Sequence, residues 1–197
     1  MKEIFNRIWE LALPYQDKRE DAGHAAVTLK FAQDLVELEK GDEDVIIPAI
    51  ILHDVGWGQL DRDRRMLMFT HDIKDVKEEE RHKILEEHQK ESVKLAAEIL
   101  RQVNYPDELT KEILEIISQH DTRKGFISKN EGLVRDADKL WRSSREGVMT
   151  ARTRRPPEDK SHFKEYEERI NKPDYFYSDR ARQIALADFK LRIEEAA

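Results

Sequence analysis

Apolar residues recur along the chain at steps of three and four, and strict alternation is rare. That period marks amphipathic helices rather than strands. It predicts helices over 2–13, 22–39, 43–54, 76–103, 107–120, 131–146, 160–170 and 179–195. The stretch 43–54 is the most apolar of these. Gly56 stands two residues past it, a position where a C′ glycine would stop the helix. Residues 58–75 and 147–159 break the period and read as long connections, the second carrying Pro156-Pro157. Connections of this length often cover or contact a ligand. Repeats, low-complexity tracts and flexible linkers are lacking. The expectation is an all-α fold forming one domain over 1–197.

Polar residues on the apolar faces are the informative exceptions. His24 heads a stripe continued by Val27, Phe31, Leu35 and Leu38. His53 follows Ile46, Ala49 and Ile50 on one face, and Asp54 comes next. A helix C-terminus carries partial negative charge, which favours a bound cation there. His88 precedes Ser92, Leu95 and Ile99, and His120 follows Ile113, Ile116 and Ile117. Asp138 shares its face with Val134 and Trp141, where an unpaired carboxylate is costly to bury. One such histidine is ordinarily a hydrogen-bonded core residue. Five such positions on five segments, one of them beside Asp54, are explained together by a shared cation that neutralises them. His71, His82 and His162 lie in polar surroundings and read as solvated.

Composition narrows the chemistry. The chain has 197 residues, 7 His and no Cys, with 35 Lys+Arg against 42 Asp+Glu. Without Cys there is no disulfide, thiolate site or cysteine nucleophile. A metal must then be held by His nitrogen and carboxylate oxygen. That donor set suits Mn, Fe, Co, Ni or Zn as divalent ions, and Mg less well. The mean hydropathy of −0.80 and the lack of a long apolar run argue against a membrane span. The N-terminus lacks the apolar core of a signal peptide. A soluble cytoplasmic protein is expected. The net charge of −7 argues against stable nucleic-acid binding.

The order His24, then His53-Asp54, then Asp138 resembles the HD-domain superfamily of metal-dependent phosphohydrolases. Gly23-His24-Ala25-Ala26-Val27 is similar to that family's first histidine at a helix start. Ile50-Ile51-Leu52-His53-Asp54-Val55-Gly56 is similar to its hallmark pair, and Arg135-Asp136-Ala137-Asp138-Lys139-Leu140 to its final aspartate segment. The resemblance spans about residues 20–145. It implies an HD-domain-like helical bundle with the site at its centre and helices from 160–197 packed on it. It also implies that His24, His53, Asp54 and Asp138 hold one divalent ion and that Asp54 is catalytic. Asp136 competes with Asp138 for the last role; Asp138 is preferred because it follows Ala137 and precedes Lys139-Leu140.

His88-Gln89-Lys90-Glu91-Ser92 and His120 resemble the extra histidines of subfamilies with a second metal, so His88 and His120 are candidates for a second ion or for substrate. Asp54 would bridge the two ions. Asp121 stands where some subfamilies have a second consecutive His, so one ligand of those relatives is expected to be missing. No Gly-Tyr-Pro follows His120, which argues against the cyclic-di-GMP phosphodiesterases that carry it.

A metal held this way can bring the pKa of a water towards ~7 and yield hydroxide for attack on phosphorus. The expected partner is a small phosphorylated substrate such as a nucleotide. The segment 139–155 offers cations for it: Lys139, Arg142, Arg145, Arg152, Arg154 and Arg155, against the single acid Glu146. Arg142, four residues past Asp138, and Arg145 are the preferred phosphate ligands, with Lys139 beside them. Arg62, Arg64 and Arg65 are weaker candidates. Trp57, Phe69 and Trp141 are available to stack on a base or to fill the core, the latter being the preferred reading for Trp141. The alternatives are a diiron oxygenase on the same scaffold and a non-catalytic metal- or nucleotide-binding module.

Overall fold

The computed structural model describes residues 1–68, 76–155 and 161–195, without the His162 side chain. These residues form α-helices joined by 3-10 turns, with no strand among them. The helices are α1 (Glu3–Ala12), α2 (His24–Glu39), α3 (Glu43–Leu52), α4 (Arg62–Met66), α5 (Glu78–Gln102), α6 (Asp107–Ser118), α7 (Lys129–Leu140), α8 (Arg145–Thr153), α9 (Ser161–Ile170) and α10 (Asp179–Glu195). No helix among the described residues is long and apolar enough to cross a membrane.

The bundle is built around α3. Every residue from Val45 to Leu52 is buried, so this helix is apolar all round. It therefore needs neighbours on all sides, and α1, α2, α5, α6 and α7 supply them. Asp42 caps its start by accepting from the Asp44 N–H at 2.9 Å. Pro48 lies inside it and has no N–H for the Asp44 carbonyl. The Tyr105 hydroxyl donates to that carbonyl instead, at 2.6 Å.

The structure differs from the periodic reading in four places. The helix expected over 43–54 ends at Leu52, and a 3-10 turn, Val55–Gln59, follows. Gly56 lies inside that turn and not at a left-handed C′ position; the positive-φ glycines are Gly23 and Gly125. Its lack of a side chain serves close packing on α5. A Cβ there would stand 2.2 Å from the His88 carbonyl oxygen and 2.3 Å from the Ser92 nitrogen.

The segment 131–146 is not one helix either. It breaks after Leu140 into a 3-10 turn, and Ser144 starts α8 by accepting from the Gly147 N–H at 3.0 Å. Short helices α4 and α8 thus occupy parts of the two stretches expected to be connections. Finally, α2 buries His24, Ala25, Thr28, Leu29, Ala32 and Leu35, while Leu38 is exposed. Its buried stripe is rotated from the one drawn through Val27 and Phe31.

Candidate metal centre

Folding brings His24, His53, Asp54, His88, His120 and Asp138 to one place. His24 is the first residue of α2. His53 ends α3, and Asp54 opens the turn after it. His88 lies within α5, His120 just past α6, and Asp138 in the last turn of α7. Two groups result, and Asp54 belongs to both. The first is His24, His53, Asp54 and Asp138; the second is Asp54, His88, His120 and Asp121. Within each, the ligand-type atoms lie within 4.8 Å of one another.

In the first group, Asp54 Oδ2 is 3.2 Å from His24 Nε2 and 3.3 Å from His53 Nε2. Asp138 Oδ1 is 3.4 and 3.5 Å from the same nitrogens. In the second, Asp54 Oδ1 is 3.7 Å from His88 Nε2 and 3.4 Å from His120 Nε2. Asp121 Oδ2 is 3.5 and 3.6 Å from them. Each oxygen of Asp54 therefore faces one group.

Ring orientation tests whether these groups suit a cation. His53 Nδ1 lies 2.7 Å from the Ile50 carbonyl and His120 Nδ1 lies 2.8 Å from the Ile117 carbonyl. A carbonyl only accepts, so both Nδ1 atoms carry their hydrogen. In the neutral rings, Nε2 then presents a lone pair. His53 Nε2 stands 3.4 Å from His24 Nε2, and His120 Nε2 stands 3.3 Å from His88 Nε2. Nitrogen and carboxylate lone pairs converging on one buried point repel unless a positive charge lies between them. The donor set fits a divalent ion in each group.

The charges agree. Burial opposes a proton on His53, but Asp54 and Asp138 outweigh it and raise its pKa well above the ordinary value. Burial likewise opposes a proton on His120, and Asp121 and Asp54 outweigh it. His88 goes the other way: burial, then the neighbouring His120, lowers it to about 3. Burial disfavours ionised Asp54, yet Arg19 and His53 hold it well below the usual carboxylate range. Asp138 is held low against burial by hydrogen bonds from His24 and His53. In the ion-free protein, protons on His53 and His120 take over part of the cation's role.

Asp136 lies elsewhere. Its carboxylate accepts from the backbone N–H groups of Tyr177 and Ser178, at 2.7 and 2.8 Å, ahead of α10. Trp57 is 1% exposed and stacks on His88 with centroids 3.9 Å apart, so it is closed to a nucleobase. Trp141 is buried and packs edge-on against His24 at 5.1 Å. Phe69 and His71 lie outside the described residues. His82 is exposed beside Glu86, as its polar surroundings predict.

The basic stretch is divided by its contacts. Lys139 donates to the Tyr175 carbonyl and lies over the Phe126 and Tyr175 rings. Burial, then Arg135, lowers its pKa to about 8. Arg154 donates to the Arg19 carbonyl, and Arg155 pairs with Glu165. Arg142 and Arg145 are exposed. The charge of Arg142 is favoured first by Tyr175 and then, against burial, by Asp138 and Asp121, one from each group. Arg62 pairs with Glu20, Arg64 with Glu80 and Glu87, and Arg65 donates to the Leu60 carbonyl.

Two residues at the centre went unpredicted. Asp121 completes the second group; its adjacency to His120 was the available signal. Arg19 has its Nη2 2.7 Å from Asp54 Oδ2, and it lies in a turn with no period to mark it. Burial disfavours its charge, but Asp54 and Asp21 more than compensate and keep it protonated.

Comparison with known proteins bears on the fold and the family. A crystal structure described as a predicted HD superfamily hydrolase from an uncultured Thermotogales bacterium superposes with a TM-score of 0.60. It is 21% identical over 98% of this chain and 87% of that one. At that identity the likeness speaks for the fold. No curated protein matches the chain. The family model for the HD domain matches residues 22–142, which hold His24, His53-Asp54, His88, His120, Asp121 and Asp138. The chain belongs to the HD domain family.

Proposed function

We propose that this protein is a metal-dependent phosphohydrolase acting on a nucleotide or another small phosphate ester. The observation that carries the reading is the convergence of four imidazole Nε2 atoms in two close pairs, with one oxygen of Asp54 facing each pair. His24, His53, Asp54 and Asp138 hold one divalent ion. His88, His120 and Asp121 hold a second, with Asp54 between the two. Bound there, divalent ions supply an acidified water and positive charge for a phosphoryl group.

The chain's own residues do the rest. The carbonyls of Ile50 and Ile117 fix two of the imidazoles with Nε2 turned inward. Arg142, exposed and close enough to sense both Asp138 and Asp121, binds a phosphoryl oxygen through its planar fork. Arg145, exposed at the start of α8, adds positive charge three residues further on. Lys139 is tied to the Tyr175 carbonyl and acts from behind. The test is metal analysis of the purified protein, followed by phosphate release from a panel of phosphomonoesters and phosphodiesters with Mn²⁺. Release that disappears with chelator and in His53→Ala supports the reading.

Six of these residues, His24, His53, Asp54, His88, His120 and Asp138, also match the ligand order of the oxygenases built on this scaffold, which favours that activity as the second reading. An iron-loaded sample that consumes O₂ with a substrate and hydrolyses none of the panel would establish it in place of the first.

A further inference from the structure

Arg19 reaches the centre from outside every helix. Its Nη2 lies 2.7 Å from Asp54 Oδ2 and 2.8 Å from Asp21 Oδ2, and its Nε donates to Asp21 Oδ2 at 2.8 Å. The guanidinium lies over the Trp57 ring, 5.5 Å from its centroid. Trp57 in turn donates its Nε1–H to the other oxygen, Asp54 Oδ1, at 3.0 Å. Each oxygen of Asp54 thus meets a fixed cation or donor as well as a pair of imidazoles.

The segment that carries Arg19 is held in an unfavourable shape. Asp17 and Glu20 have φ of 55° and 57°, and Gly23 has φ of 89°. Such angles are costly for residues with a Cβ and persist only where surroundings enforce them. Asp17 accepts from the N–H groups of Gly23 and Ala25, at 2.8 and 3.0 Å, and so folds the segment back onto the start of α2. Arg154, at the end of α8, donates to the Arg19 carbonyl. Backbone on both sides of the guanidinium is therefore anchored.

We propose that Arg19 and Trp57 are positioning residues that clamp Asp54, fixing its carboxylate plane so that one oxygen faces each group of ligands. The proposal rests on the metal reading above. A carboxylate turning about its last torsion would serve one group and abandon the other. An ion pair from Arg19 and a hydrogen bond from Trp57, arriving from different directions, remove that freedom. Arginine suits the task because a planar fork can span Asp54 and Asp21 while standing over an indole; the point charge of lysine cannot do both.

The test is Mn²⁺ titration calorimetry and electron paramagnetic resonance on the full chain, comparing wild type with Arg19→Gln, Arg19→Lys and Trp57→Phe. Far-ultraviolet circular dichroism checks that each variant keeps its helices. Partners that orient a ligand are typically worth 10- to 100-fold in metal affinity. Arg19→Gln is expected to weaken Mn²⁺ binding about tenfold or more and to abolish the exchange-coupled signal of a Mn²⁺ pair. Arg19→Lys recovers only part of both. Trp57→Phe keeps a ring against His88, loses the Nε1–H, and weakens the coupled signal; it carries the test alone if Arg19→Gln does not fold.

Wild-type affinity and coupling in both Arg19→Gln and Trp57→Phe overturn the clamp. So does tighter Mn²⁺ binding in Arg19→Gln, which would make the guanidinium a competitor of the ion. An Arg19→Gln protein with unchanged Mn²⁺ binding and a raised KM for phosphate esters makes Arg19 a substrate contact, and also overturns it. A wild type that takes up no Mn²⁺ removes the metal reading itself, and the clamp with it.

Discussion

The two groups of ligands are near copies in donor chemistry and unequal in support. Each has one imidazole tied through Nδ1 to a carbonyl three residues earlier, His53 in the first and His120 in the second. In each, the other imidazole has no hydrogen bond at Nδ1 among the described residues and packs against an indole: His24 on Trp141, His88 on Trp57. The carboxylates differ. Asp138 stands on α7 with its side chain 16% exposed, whereas Asp121 lies in a turn past α6 with its side chain 27% exposed. A helix body fixes a side chain more firmly than a turn does. The first group is thus the better organised, and an ion in the second depends on how well that turn is held. Asp54 is common to both.

The largest effect follows from that shared residue. Asp54→Ala is expected to cost both ions, with Mn²⁺ affinity falling by more than the roughly 100-fold upper range of an outer partner. Metal content after gel filtration reads this directly. An Asp54→Ala protein that keeps two ions would show that the groups are independent. Next come the single histidines. His53→Ala loses the first ion, whereas His120→Ala keeps it and falls to one ion per chain. Equal losses in both variants would erase the asymmetry between the groups.

A smaller effect appears with pH. The folded-state pKa of His53 and of His120 is raised in the ion-free protein. Their protonation therefore stabilises the ion-free fold fully below the ordinary value of 6.5 and fades as pH rises through the raised folded value. Bound metal needs both rings neutral. The rise in Tm on adding Mn²⁺ is expected to shrink as pH falls, and uptake releases roughly one proton per group. His88, held at about 3, contributes none. Calorimetry in buffers of different ionisation enthalpy counts the protons. A Tm shift that is flat between pH 5 and 8 would contradict the assignment, on the order-of-magnitude span over which His titrates.

How much of this is legible in the sequence depends on where each residue sits. His24, His53, His88, His120 and Asp138 occupy helical faces whose other members are apolar, and a polar residue there stands out against a period. Asp121 and Arg19 lie in turns, where no period exists and a charged residue is what solvent would favour. Their roles come from tertiary approach alone. The helices themselves follow the apolar pattern closely except where a local cap intervenes. Ser144 interrupts the expected helix over 131–146 because its hydroxyl competes for the Gly147 N–H. Gly56 misleads for a similar reason. The residue type suggests a helix stop, while the structure uses its missing side chain to let the turn after Asp54 lie against His88 and Ser92.

The smallest effect isolates the turn that carries Asp121. Gln89 follows His88 on α5 and is buried. Its Oε1 accepts from the Asp121 N–H at 3.0 Å and from the Thr122 hydroxyl at 3.3 Å, and its Nε2 lies 3.2 Å from the same hydroxyl. One side chain therefore joins the helix bearing His88 to the turn bearing Asp121. Gln89→Leu fills much the same volume and leaves the Asp121 N–H without its partner, at a cost of about 1–3 kcal/mol in denaturant unfolding. The second Mn²⁺ should weaken while the first binds as before, because no bond of Gln89 reaches Asp138, His24 or His53. If both ions weaken alike, the turn supports the whole centre and the two groups are one unit.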